Sequence, residues 1–257
     1  LLAAGIDENK SIVFLQSHVH EHSELAWIMN CFIPMGWMQR MTQFKEKSVK
    51  QKEQVSTGLF DYPALMAADI LLYKTDVVPV GEDQVPHIEL TREIARRFNF
   101  LYGTFFKEPQ AALTKAKKIP GLDGRKMSKS YGNCIYISDA AAEVEQKMKN
   151  MITDPARKRR EDKGHPDVCP VCCFHEIFNA AELAGIKDAC RNATIGCVEC
   201  KKKCIAQVNR FLEPMRERRA QFQSNLSTVH DILQSGARKA RAVASQTFTK
   251  AKELAGL

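Results

Sequence analysis

Between Gly121 and Ser130 the chain reads Gly-Leu-Asp-Gly-Arg-Lys-Met-Ser-Lys-Ser, a glycine-rich loop closing on two lysines, Lys126 and Lys129. Two ammonium groups with serine hydroxyls on one loop suit a polyphosphate, where developing charge must be neutralised. A generic Lys-x-x-Lys pair is more often a solvated basic loop. At Val78-Pro-Val-Gly-Glu-Asp-Gln84, Gly81 lets a strand turn sharply into a helix. Glu82, Asp83 and Gln84 then stand at the strand's carboxyl end, the edge where open α/β sheets bind ligands. Asp69 interrupts an apolar stretch, Tyr62 to Tyr73; by itself such an aspartate is more often a cap or half of an ion pair. Seven of the nine cysteines fall between Cys169 and Cys204. In a chain without a secretory signal this crowding points to a metal or a cluster rather than disulfides.

Weaker signals surround these. His18, His20 and His22 alternate, but no further ligand at suitable spacing completes a metal site. Arg157-Lys-Arg-Arg160 and Lys201-Lys-Lys203 are candidate contacts for a nucleic-acid backbone, with a solvated face as the plain alternative. The formal charge of +8, from 38 Lys+Arg against 30 Asp+Glu, favours a polyanionic partner without naming it. No run of 18 apolar residues exists, which argues against a membrane helix. The opening residues lack a basic flank and a long apolar segment, so the cytoplasm is the expected setting.

The elements that must position these residues alternate. Ser11–Ser17 is a β-branched apolar run expected as a buried strand. Residues 24–32 have helical apolar spacing, 37–54 are expected to be helical, and 62–73 read as a buried helix with Pro63 in its first turn. Asp76–Gly81 is the next strand, and 83–98 the next helix. This alternation predicts a doubly wound, Rossmann-like parallel α/β sheet. A loop-rich stretch, 107–130, follows, and beyond Ser138 the pattern is helical. Residues 1–137 are therefore expected to form one domain and 138–257 a second, α-helical one.

The string Lys126-Met-Ser-Lys-Ser130 resembles the signature loop of class I aminoacyl-tRNA synthetases. Gly81-Glu-Asp-Gln84 with His87-Ile-Glu-Leu-Thr-Arg92, Met41-Thr-Gln-Phe-Lys-Glu-Lys-Ser48 and the run Tyr62–Tyr73 resemble the tryptophanyl members specifically. That resemblance implies that residues 1–137 form the nucleotide-binding catalytic domain. Residues 138–257 would form the anticodon-binding domain, with the last helix packing back on the catalytic one. It implies ATP-dependent activation of L-tryptophan and its transfer to tRNA(Trp), with Mg2+ on the phosphates and a homodimeric assembly.

By position, Asp69 matches the family's acceptor for the indole N–H, a group that can only donate. Met66, Ile70, Val78 and Val80 would be the apolar walls. Tyr62 and Gln84 would meet the polar end of the amino acid. Lys47, Lys126 and Lys129 would grip ATP phosphates, together with Met127, Ser128, Gly81 and Asp83. The attacking carboxylate comes from the substrate, so no protein nucleophile is needed. The family's strand–turn–helix with a His-Ile-Gly-His-like signature has no counterpart before Lys126. The expectation is a chain that begins partway through the catalytic domain, with impaired turnover.

The cysteines allow two sets. Cys169, Cys172, Cys197 and Cys200 form paired C-x2-C units of zinc type. Cys169, Cys190, Cys197 and Cys200, spaced C-x20-C-x6-C-x2-C, resemble certain bacterial tryptophanyl-tRNA synthetases with a 4Fe–4S cluster near the anticodon-binding region. Zn2+ is the alternative occupant. Two other readings compete: an iron–sulfur redox or regulatory protein, which leaves the lysine loop without a role, and a non-catalytic RNA-binding relative of the synthetases.

Overall fold

The computed structural model describes residues 1–41, 56–113 and 119–257. They fall into two compact units, Asp7–Lys115 with Ser227–Leu257, and Leu1–Ile6 with Ala116–Leu226.

The first unit holds α1 (Glu21–Asn30), α2 (Met35–Gln39), α3 (Thr57–Leu71), α4 (Val85–Tyr102), and strands β1 (Val77–Val80) and β2 (Gln110–Leu113). β1 and β2 pair in parallel, Val77 opposite Gln110 and Val80 opposite Leu113, joined by α4 as a crossover. Among the described residues this is the whole sheet, so the expected doubly wound sheet is represented by one βαβ unit only. The expected strand at Ser11–Ser17 is a correction. Ile12–Leu15 has no regular structure, and Gln16–His18 is a short 3-10 turn. β-branched residues favour extended backbone, but a strand also needs a neighbour to receive its ladder hydrogen bonds.

α3 begins earlier than its apolar pattern suggests, because Ser56 caps it by accepting from the Leu59 N–H at 3.2 Å. Pro63 consequently lies inside the helix rather than in its first turn. The core of this unit is built by Leu25 and Met29 of α1, Ala64, Ala68 and Leu71 of α3, and Ile94 and Phe98 of α4. The helix α9 (Leu226–Ala255) presents Ala240, Ala244 and Ala251 to that core. Small side chains there let a 30-residue helix lie close against its neighbours.

The second unit is helical: α5 (Ala141–Lys149), α6 (Pro170–Phe178), α7 (Leu183–Arg191) and α8 (Cys197–Ser224). Its core gathers Val144 and Met148 of α5, Cys172 and Phe174 of α6, and Cys204, Ile205, Val208 and Leu212 of α8. The α8 positions recur at helical spacing, which puts them on one face. No helix among the described residues is long and apolar enough to cross a membrane.

Candidate active site and cysteine cluster

Tyr62, Met66 and Asp69 are spaced i, i+4, i+7 along α3 and so share a face. Ile70 of α3, Val80 of β1 and Ile88 of α4 form a small apolar cluster, with Met66 and Val78 packed against it. The four residues expected as pocket walls are thus brought together. Beyond Val80 the chain passes through Gly81 into a 3-10 turn, Glu82–Gln84, and then α4. There the Gln84 amide donates to Asp83 at 2.9 Å. Tyr62 bonds His87 Nε2 through its hydroxyl at 2.7 Å, and burial raises the Tyr62 phenol above its ordinary value.

The Asp69 side chain is 36% exposed and already engaged. His22, 5% exposed, lies 2.6 Å from its Oδ1 through Nδ1, and Gln16 Nε2 donates to both oxygens at 2.7 and 2.9 Å. His22 Nε2 meets the Tyr73 hydroxyl at 2.8 Å. Burial, then the negative charges of Asp69 and Glu21, push the Tyr73 phenol up to about 12. Because a carboxylate oxygen accepts, His22 Nδ1 is the donor of that bond to Asp69. Sequence spacing gave no sign of this network. His22 is 47 residues from Asp69, and its alternation with His18 and His20 suggested only a metal strip. Those two have other partners: the His18 carbonyl accepts from Arg241, and His20 faces Glu21 and Glu24.

In the second unit, the lysine loop is held by Asn133. Its Oδ1 accepts from the Ser128 N–H at 2.8 Å, and its amide donates to Asp123 at 2.7 Å and to the Lys126 carbonyl at 3.2 Å. The Asn133 amide holds Asp123 below the usual carboxylate range; burial works against this, and Arg125 adds to it. Met127 packs against the helical core while Lys126 and Lys129 are exposed. No carboxylate among the described residues pairs with either lysine. Ser128 and Ser130 share a hydroxyl–hydroxyl bond of 2.8 Å. The arrangement is an anchored loop offering two free cations. Lys47 lies outside the described residues.

None of the nine cysteines is joined in a disulfide. Cys200 is pushed up to about 12 by burial and then by Cys169, Cys190 and Cys197; Cys190 is raised by burial, against the pull of Arg157, with Cys169 and Cys197 adding to it. Cys172 acts on Cys200 as well, so thiols of both expected sets lie near that sulfur. Arg157 donates to Cys190 Sγ at 3.8 Å. A Cβ on Gly164 would stand 2.4 Å from Cys190 Sγ, so only glycine fits beside that sulfur. Yet no three His, Cys, Asp or Glu side chains among the described residues are gathered so as to hold a metal ion. Neither expected set, the zinc-type one with Cys172 or the cluster-type one with Cys190, is gathered in this way. Next to Cys197 a cavity of about 600 Å³ is lined by Arg157, Lys158, Arg159, Arg160 and Lys202 together with the start of α8.

Residues 1–213 match the family model described as class I tRNA synthetases (W and Y). The chain is 49% identical over 257 residues to a tryptophan–tRNA ligase of Deinococcus radiodurans, covering 99% of this chain and 78% of that one. It is 45% identical over 260 residues to the Thermotoga maritima ligase, covering 100% and 79%. Among solved structures, Campylobacter jejuni tryptophanyl-tRNA synthetase complexed with ADP and tryptophan superposes with a TM-score of 0.90 at 35% identity, covering 100% of this chain and 80% of that one. These likenesses give the class I synthetase fold with a helical C-terminal region. The chain belongs to the class I tryptophanyl-tRNA synthetases, of bacterial type.

Proposed function

We propose that this chain activates L-tryptophan with ATP to tryptophanyl-adenylate and transfers the acyl group to tRNA(Trp). The observation that carries the reading is Asp69, a part-exposed carboxylate one helical turn from Met66, beside the apolar cluster of Ile70, Val78 and Val80. A carboxylate offers about four acceptor sites, and Gln16 and His22 engage three. The remaining one suits a donor-only indole N–H. A bound side chain that covers this edge and cannot donate would leave it unpaired. Tyr62 and Gln84 would meet the substrate's polar end.

Lys126 and Lys129, with Met127 and Ser128 shaping their loop, would neutralise charge on the ATP phosphates as pyrophosphate leaves, with Mg2+ on those oxygens. Gly81 and Asp83 are assigned to ATP as well, and so is Lys47. The substrate carboxylate attacks the α-phosphate, and the tRNA ribose hydroxyl then accepts the acyl group. Catalysis is positioning and charge stabilisation. Residues 1–137 are read as the catalytic domain and 138–257 as the anticodon-binding domain of a cytoplasmic homodimer. The basic cavity at Arg157–Arg160 is a site for the tRNA backbone.

For Cys169, Cys190, Cys197 and Cys200 we favour a 4Fe–4S cluster over Zn2+. The supporting observations are the influence of Cys169, Cys190 and Cys197 on the Cys200 thiol and the glycine that clears Cys190. Bound there, a cluster would tie together the starts of α6 and α8 and the end of α7 rather than perform redox chemistry.

Asp69→Ala tests the assignment. Selectivity for tryptophan should collapse while ATP affinity stays near its original value. Loss of ATP affinity with selectivity intact would move the indole acceptor elsewhere.

A further inference from the structure

We propose that His22, Gln16 and Tyr73 form a positioning set that locks the Asp69 carboxylate in the orientation that accepts an indole N–H. Through it they would set tryptophan specificity. The inference rests on the reading of Asp69 given above.

The geometry is that of a support rather than of an incidental ion pair. An aspartate at a helix surface has two soft torsions, so its acceptor edge is defined only if neighbours hold it. Here both degrees of freedom are taken. The Gln16 amide bridges the two oxygens, and His22 Nδ1 pins Oδ1 at 2.6 Å, a short charge-assisted bond. His22 is itself fixed. It is buried and spends its second nitrogen on Tyr73 at 2.8 Å. Its ring stands 5.4 Å from Tyr73 and 6.0 Å from Phe14, which closes the triangle on Tyr73 at 6.0 Å. A histidine whose two nitrogens are both committed cannot turn, and neither can the oxygen it holds. One acceptor site on Oδ2 remains, presented in a fixed direction to a donor-only ligand.

The experiment compares affinities of the full chain for L-tryptophan and for its benzothiophene analogue, in which sulfur replaces the indole N–H. Affinities are measured by calorimetric titration on the parent, Asp69→Asn, Gln16→Ala, His22→Phe and His22→Asn. The parent should prefer tryptophan, and Asp69→Asn should erase that preference. Gln16→Ala, at an exposed position that leaves folding intact, and His22→Phe should each cut the preference about tenfold or more. Affinity for the analogue should be nearly unchanged in both. His22→Asn, which can return an N–H near the Nδ1 position, should recover most of the loss. If Gln16→Ala and His22→Phe keep the parent's preference, or weaken both ligands alike, the set is merely structural and the proposal is overturned. If instead Asp69→Asn retains the preference, or the parent shows none, it is the reading of Asp69 that fails.

Discussion

Two helical glycines should respond to alanine with opposite signs. Gly236 of α9 lies so close to the irregular segment at Val13 that an added Cβ would stand 1.9 Å from the Val13 carbonyl oxygen and 2.8 Å from its carbon. Gly185 of α7 has no heavy atom within 4 Å of the same construction. Helix propensity alone gives alanine an advantage of up to about 1 kcal/mol at either site. At Gly185 nothing opposes it, so Gly185→Ala should be neutral to stabilising by that amount. At Gly236 the obstacle is main chain, which cannot rotate aside as a side chain would. Overpacking of this kind costs about 1–3 kcal/mol, and more when backbone must shift. The clash therefore outweighs propensity, and Gly236→Ala should lose about 1–2 kcal/mol net. Urea titration followed by circular dichroism reads both, with a lowered midpoint for Gly236→Ala and an equal or raised one for Gly185→Ala. Equal or higher stability of Gly236→Ala would refute the close approach of α9 to Val13.

Asp154 should make stability depend on acid. It is 4% exposed, and burial works to raise its pKa. Bonds from the Ala156 and His165 N–H groups and the His165 ring outweigh that, so the net shift is downward. Its contribution is present above the unfolded aspartate value of about 3.9 and is lost as pH falls through the lower folded value. Denaturation midpoints from about pH 5 to pH 2 should fall more steeply in the parent than in Asp154→Asn; parallel curves would exclude it. Lys126→Ala and Lys129→Ala should each lower adenylate formation about 100-fold or more while tryptophan binding is retained, measured by stopped-flow and by titration. Unchanged rates would remove the loop from the chemistry. Anaerobically purified protein should be brown with about four iron and four sulfide per chain, and Cys190→Ser should lose both. Colourless protein with stoichiometric zinc would end the cluster reading.

Where sequence reading succeeded, local pattern and tertiary demand agreed. Val77–Val80 between Asp76 and Gly81 forms the strand expected there, and Met66, Ile70, Val78 and Val80 meet because a helix face and a strand face each present alternate apolar residues. It failed where a partner decides the outcome. Ile12-Val-Phe-Leu15 has strand composition but no strand beside it among the described residues. The start of α3 is set by one serine hydroxyl rather than by apolar period. His22 and Gln16 were invisible as neighbours of Asp69, because contacts 47 and 53 residues apart leave no spacing to read. The lysine loop was legible as a string, whereas its anchor, Asn133, was not: an asparagine three residues past the loop's end carries no local signal of three bonds back into it.

Tryptophan-dependent ATP–pyrophosphate exchange, with tyrosine as the competing substrate, tests the central claim most directly. Exchange driven by tryptophan, and not by tyrosine, is the predicted result. Absence of exchange with tryptophan, or equal exchange with both amino acids, would contradict the account.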